Sequence, residues 1–230
     1  MIDDAERAIQ GQAVTSLIGQ VRISVPTTYR HYRLPEMLDR FTDAFPDVRI
    51  ELSITNRNVD LVAEGYDLDI RLGPLPDSGL VARRLEDAPL RLVASPRYLE
   101  RAGVPTSVED LAKHQCLPFV MPSTGRPAPW LFRIDGKDLD WTPAGKIQVF
   151  DDVLGVVRLA ESGLGICQTY DFIVQDSIER GRLVDVLKCS GPHKSFLDNF
   201  RPTSASFVGN PGSDRFLGEG TIATRYRMIS

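Results

Sequence analysis

The sequence predicts an α/β protein with a parallel sheet, and three neighbouring segments carry that prediction. Residues 20–25, Gln-Val-Arg-Ile-Ser-Val, alternate apolar and polar as a half-buried strand does. Leu34, Met37, Leu38, Phe41 and Phe45 follow at helical spacing, and Pro46-Asp47 ends that helix. Val48, Ile50, Leu52 and Ile54 then alternate again, with Arg49, Glu51 and Ser53 between them. Strand, helix, strand is a βαβ unit, which implies parallel pairing and a right-handed crossover.

The remaining elements follow from the same signals. Ala5, Ala8 and Ile9 form a short apolar stripe on a helix over residues 3–11, stopped by Gly11. Pro26-Thr27-Thr28 supplies a break and a hydroxyl cap before the helix of the βαβ unit. Val59, Leu61 and Val62 suggest a short helix closed by Gly65, and Leu68–Leu72 reads as a third strand. A turn over 73–79 and two extended segments, 80–85 and 90–94, come next. Ser95-Pro96 starts a helix, since proline in the first turn loses only an N–H that has no partner there. Thr106 with Glu109 resembles a capping box. Residues 116–120 read as a strand, 121–129 as a loop, and 130–149 as short antiparallel strands turning at Asp135-Gly136. Asp151-Asp152 reads as the cap of a helix that ends at Gly163. A strand at 164–167, a helix at 171–180 and a strand at 183–187 complete the pattern. Beyond Lys188 the chain turns rich in Ser, Gly, Pro, Asn and Arg, and its composition assigns no core-forming role.

Composition narrows the function classes. A chain of 230 residues has room for one large domain or two small ones. Its formal net charge of −4 and scattered Lys and Arg argue against a phosphate-gripping face of its own. No apolar run is long enough to span a bilayer, and the acidic start lacks a secretory h-region, so the expected compartment is the cytoplasm. Cys116, Cys167 and Cys189 are widely spaced and odd in number, which disfavours a disulfide framework or a zinc site. His31, His114 and His193 lie in different segments, and no nucleophile elbow, zinc-protease or Walker sequence is present. Neither catalysis, nor a metal, nor a cofactor is expected.

Several segments, taken in order, resemble the LysR-type transcriptional regulators. They are Asp4–Ala8, Gly19–Pro26, Leu34-Pro35 with Phe41 and Phe45–Val48, Glu51-Leu52, and Val59–Gly65 continuing into Tyr66–Gly73. Val93–Leu99, Pro105–Leu111, Gly163–Ile166 and Gly181–Val184 continue the match. No one segment is specific; their order and spacing are. The resemblance covers roughly residues 3–187 and implies an effector-binding domain without the family's N-terminal winged helix-turn-helix. It implies a type II periplasmic-binding-protein-like fold, two α/β subdomains joined by two crossover strands around a ligand cleft. Residues 1–16 would end a linker helix, 17–88 form subdomain I and 91–187 subdomain II. Residues 188–230 form an atypical tail that either completes subdomain I or stays disordered. This tail departs from the family in lacking its last strand and helix. The implied partners are a small-molecule effector and a second copy of the chain, with a tetramer in a full-length parent and DNA reached only through the missing domain. The alternative is a periplasmic-type solute-binding protein.

Six residues are candidates for effector binding. Thr27 and Thr28 lie between a strand and a helix start, where free N–H groups favour an anion; simple capping is the competing reading. Arg71, near the end of the third strand, either holds a carboxylate in a bidentate pair or pairs internally with Asp67 or Asp69. Met121, Ser123 and Thr124 follow a strand of the second subdomain, and form either a cleft wall or an exposed loop. Together these residues lead to the expectation of a small, anionic metabolite. Asp151 and Asp152 are explained by capping, and Gly163 and Gly165 by a helix stop and a tight turn.

Overall fold

The computed structural model describes residues 19–72, 81–134, 136–187 and 204–209. The expected linker helix at 3–11, the turn at 73–79, Cys189 and His193 lie outside these residues.

The βαβ unit forms as its patterning predicts. Strand β1 (Gly19–Val25) pairs in parallel with β2 (Val48–Ile54), with Val25 opposite Ile54. The connecting segment is two helices, not one: α1 (Thr27–Tyr32) and α2 (Leu34–Ala44). Pro35 accounts for the break. It has no N–H to give to the carbonyl of His31, and its ring clashes with that carbonyl in a continuous helix. Pro26 is the N-cap of α1, and neither Thr27 nor Thr28 makes a capping bond, which corrects the hydroxyl-cap reading. Helix α2 turns Leu34, Met37, Leu38, Phe41 and Phe45 onto Val21, Ile23 and Val48.

Helix α3 (Leu61–Glu64) is short because it is capped at both ends. Asp60 accepts from the N–H groups of Val62 and Ala63 at 3.1 and 3.0 Å, and Gly65 closes it at φ 69°. Strand β3 (Leu68–Leu72) joins β1 in parallel. Strand β4 (Val81–Asp87) leads out of this sheet, and after Ala88-Pro89 the chain enters a second sheet with β5 (Leu90–Ala94).

Around β5 the second subdomain assembles. Helix α4 (Pro96–Ala102) starts as expected, with the Ser95 hydroxyl accepting from Tyr98 N–H at 3.3 Å. The capping pattern before the 3-10 turn at Glu109–Lys113 sits one residue later than expected. There Ser107 accepts from Asp110 N–H, and the Asp110 carboxylate accepts from Thr106 N–H. Two-residue strands β6 (Phe119–Val120) and β9 (Val149–Phe150) pair in parallel, and β7 (Trp130–Ile134) with β8 (Lys137–Trp141) makes the expected hairpin. Helix α5 (Val153–Glu161), strand β10 (Ile166–Tyr170), helix α6 (Asp171–Glu179) and strand β11 (Val184–Asp185) follow, with sheet order β10-β5-β11. Cys116 and Cys167 are buried, and burial pushes both thiols up to about 12, so neither is ionised near neutrality.

The tail departs most from its composition. Strand β12 (Ser204–Gly209) returns to the first sheet and lies antiparallel between β3 and β4. The order is β2-β1-β3-β12-β4. The chain therefore crosses between subdomains twice, once at 88–89 and once between Leu187 and Ser204. A six-residue strand flanked on both edges is held by backbone pairing, which composition does not encode.

Candidate functional site

Parallel strands end at a common edge, and two such edges meet between the subdomains. In the first, Val25 and Ile54 are register partners, so Thr27 and Asn56 follow side by side. In the second, Val120 and Phe150 are partners, so Met121 and Asp151 emerge together. Ligand crevices of α/β sheets open at such carboxyl ends. Asn56 Nδ2 donates to the Asp151 carbonyl at 2.6 Å across the cleft. Asn56 Oδ1 accepts from Thr27 N–H at 3.1 Å, and Nδ2 also donates to Thr27 Oγ1 at 3.3 Å. Thr28 is buried.

Arg71 is buried beside these groups. Its Nη2 lies 3.0 Å from Asp69 Oδ1 and donates to Ser24 Oγ at 3.0 Å and to the Arg57 carbonyl at 2.7 Å. Its Nη1 donates to the carbonyls of Ile70 at 3.0 Å and Thr55 at 3.3 Å. The guanidinium thus grips the loop on either side of Asn56. Of the two internal partners considered, Asp69 is the ion-pair partner; Asp67 accepts instead from Arg22 N–H. Burial pushes the Asp69 carboxyl up to about 6 against the opposing pull of Arg71 and of a Ser24 hydrogen bond, and burial also lowers the Arg71 pKa.

Met121, Ser123 and Thr124 form a tight turn. Thr124 and Gly125 N–H both donate to the Met121 carbonyl, at 3.2 and 2.8 Å, with Gly125 at φ 64°. Ser123 and Thr124 are exposed, and Met121 is half-buried. Their structure joins Met121 to the Asp151 edge through the β6–β9 pair, whereas Thr27, Thr28 and Arg71 belong to the facing subdomain.

The subdomains touch at a second place. Helix α1 packs against α5 and α6. Phe172 of α6 lies 6.0 Å from Tyr32 and carries the Arg33 guanidinium 4.9 Å from its ring centre. Arg33 Nε also pairs with Glu86 of β4 at 3.2 Å. The break forced by Pro35 is what frees Arg33 to reach this junction.

Sequence reasoning missed two residues. Asn56 stood in the polar run Thr55-Asn56-Arg57-Asn58 directly after a predicted parallel strand, which was a usable signal. Asp151 was assigned to capping, but Asp152 is the N-cap of α5 and makes no side-chain cap bond. Asp151 instead has φ 60°, and its carbonyl faces the cleft contact. Nothing in the sequence marks that conformation. Among the described residues no cluster of His, Cys, Asp and Glu is arranged to hold a metal ion.

Comparison with known proteins bears on the same surface. Residues 15–195 match the LysR substrate binding domain family. An HTH-type transcriptional regulator of Haemophilus influenzae is 32% identical over 189 residues, which are 81% of this chain and 63% of that protein. The HTH-type regulator CrgA of Neisseria meningitidis serogroup C is 33% identical over 171 residues, 74% of this chain and 55% of CrgA. The full-length virulence activator AphB of Vibrio cholerae superposes with a TM-score of 0.73 at 27% identity, covering 99% of this chain and 74% of AphB. The CrgA regulatory domain superposes with a TM-score of 0.69 at 26% identity, covering 86% of this chain and 91% of that domain. The chain spans 63% and 55% of the length of the two curated relatives, less than two-thirds of either. Its two α/β subdomains have the type II periplasmic-binding-protein-like arrangement, and the chain belongs to the LysR substrate binding domain family.

Proposed function

We propose that this chain is the effector-sensing part of a LysR-type transcription regulator, and that it takes a small metabolite between its subdomains. The observation that carries the reading is the meeting of two parallel strand edges at Thr27, Asn56 and Asp151. A carboxylate is the proposed chemical class. Thr27 offers an N–H and a hydroxyl, both held by Asn56 until a ligand takes them, and the Arg71 charge lies just behind their loop. Met121, Ser123 and Thr124 supply the opposite wall. The reading involves no catalysis. The compartment that goes with this reading is the cytoplasm; among the described residues no helix is long and apolar enough to cross a membrane. DNA contact belongs to a separate helix-turn-helix of the parent, as the relatives' names suggest. Those relatives are regulators, which favours this reading over a solute carrier.

Calorimetric titration tests the site. A panel of small carboxylates and their neutral amides is titrated into the wild type, Thr27→Val and Thr28→Ala. The expected result is a carboxylate whose affinity falls about tenfold in Thr27→Val, the equivalent of one hydrogen bond at the cleft. Equal binding by all three proteins would remove the threonines from the site. Binding of neutral compounds alone would remove the anion.

The resemblance to LysR-type regulators implies the assembly we propose, an isologous homodimer with residues 29–45 of one subunit against 152–162 of the other. Strand β2 lies at the edge of the same subdomain's sheet, and its Leu52 and Ile54 are 38% and 46% exposed, an apolar margin that such a contact could extend over. Light scattering at high micromolar concentration should give twice the chain mass; a monomer mass alone would sink the proposal.

A further inference from the structure

We propose that Asn56 and the backbone turn at Asp151 form a strained catch that sets the angle between the subdomains, braced from behind by Arg71. The proposal rests on the cleft being the effector site.

Three observations converge. The first is the turn itself. Asp151 is one of two non-glycine residues with positive φ among the described residues, at 60°. The N–H of Asp152 donates to the Phe150 carbonyl at 2.6 Å, closing a three-residue γ-turn of the left-handed kind. That turn is rare and costly, and such strain persists only where surrounding contacts hold it. Here it is held between the end of β9 and the start of α5, and the Asp151 carbonyl that it carries meets the facing subdomain.

The second is the complete use of the Asn56 carboxamide. Thr27 N–H only donates and the Asp151 carbonyl only accepts, so the orientation of the amide is determined by its partners. One side chain therefore ties the start of α1 to the opposite subdomain.

The third is the support. Thr55 N–H donates to the Val25 carbonyl at 3.0 Å, and Arg71 takes the carbonyls of Thr55 and Arg57. The loop that carries Asn56 is thus anchored on both sides of it to the core of subdomain I.

A ligand that takes Thr27 N–H and Oγ1 must displace Asn56. Displacement also releases Asp151, and relaxation of its turn offsets part of the lost bonding. Ligand and cross-cleft bond then compete for one side chain, which is the differential contact needed for a ligand to shift the angle.

The test needs no ligand. Hydrogen exchange by mass spectrometry and small-angle scattering are measured on the whole chain, wild type and Asn56→Asp. Aspartate keeps the acceptor for Thr27 N–H, loses both amide donors and sets a carboxylate against the Asp151 carbonyl. Backbone exchange over 151–154, carried by the Asp152 N–H that closes the turn, should be about three- to tenfold faster, with β1 and β5 protected as before and the radius of gyration increased. Asn56→Ala, which removes the carboxylate repulsion, should act in the same direction. The proposal is overturned if the rates at 151–154 match the wild type in both variants. It is equally overturned if they rise only together with those of β1 and β5, as general destabilisation would produce. Failure of the carboxylate titration would remove the effector reading without changing these rates.

Discussion

Arg71→Ala should lower the unfolding free energy by about 3–5 kcal/mol, the usual cost of stranding one member of a buried ion pair. Asp69 is 5% exposed and Arg71 8%. Removing the guanidinium leaves a buried carboxylate without its cation and takes a charged donor from the carbonyls of Thr55, Ile70 and Arg57. For a chain of this size the loss corresponds to a melting temperature lower by roughly 10 °C. Asp69→Asn should cost far less, about 1 kcal/mol, because Arg71 keeps its oxygen acceptors and the amide preserves shape. The pH dependence supplies a second check. The folded Asp69 pKa of about 6 lies above its ordinary 3.8, so the native state binds this proton more tightly than the unfolded chain does. The stability due to this group is fully present below about 4 and is lost as pH rises through about 6. Urea titrations between those values should therefore show a component that falls with rising pH in the wild type and is missing in Asp69→Asn. Equal costs for the two substitutions, or an unchanged pH slope, would contradict the assignment.

Gly165→Ala should cost about 3 kcal/mol, at the upper end of ordinary overpacking. A Cβ at Gly165 would stand 2.3 Å from the Gln115 carbonyl oxygen and 3.0 Å from Leu117. That carbonyl accepts from Ile166 N–H at 2.9 Å, and Leu117 N–H returns a bond to Ile166 at 2.9 Å. The added methyl meets backbone that is already paired, so relief requires parting the 115–117 segment from β10 in the middle of the second subdomain. Gly163→Ala meets nothing closer than 3.5 Å, and its cost comes from φ 81°, about 1 kcal/mol. The two glycines of one Gly-Leu-Gly motif thus serve different ends, a helix stop and a close backbone approach. Denaturant midpoints for the two variants check the order; a larger loss at Gly163 would reverse the argument.

Local pattern carried much of the architecture. Alternation in 20–25 and 48–54, and helical spacing from Leu34 to Phe45, predict the βαβ unit because a side chain's face follows from its position along a regular element. Gly65 and Ser95 marked helix ends for equally local reasons, one through left-handed backbone and the other through a hydroxyl acceptor. Pro35 was legible too, and a stricter reading would have split the helix there. The order of the LysR-like segments conveyed the family and its fold class. Tertiary structure alone decided what depends on partners distant in sequence. Strand β12 gains its place from backbone bonds to β3 and β4, which any composition able to extend can make. Asp69, rather than Asp67, pairs with Arg71 because alternate residues of β3 share a face, while Asp67 precedes the strand and reaches β1. Asn56 meets Asp151 across 95 positions of sequence, and only folding brings an ordinary strand-end asparagine against a backbone carbonyl turned by an uncommon φ. Sequence determines the periodic elements because their geometry repeats locally; the cleft is decided by tertiary structure because its contacts join separate subdomains.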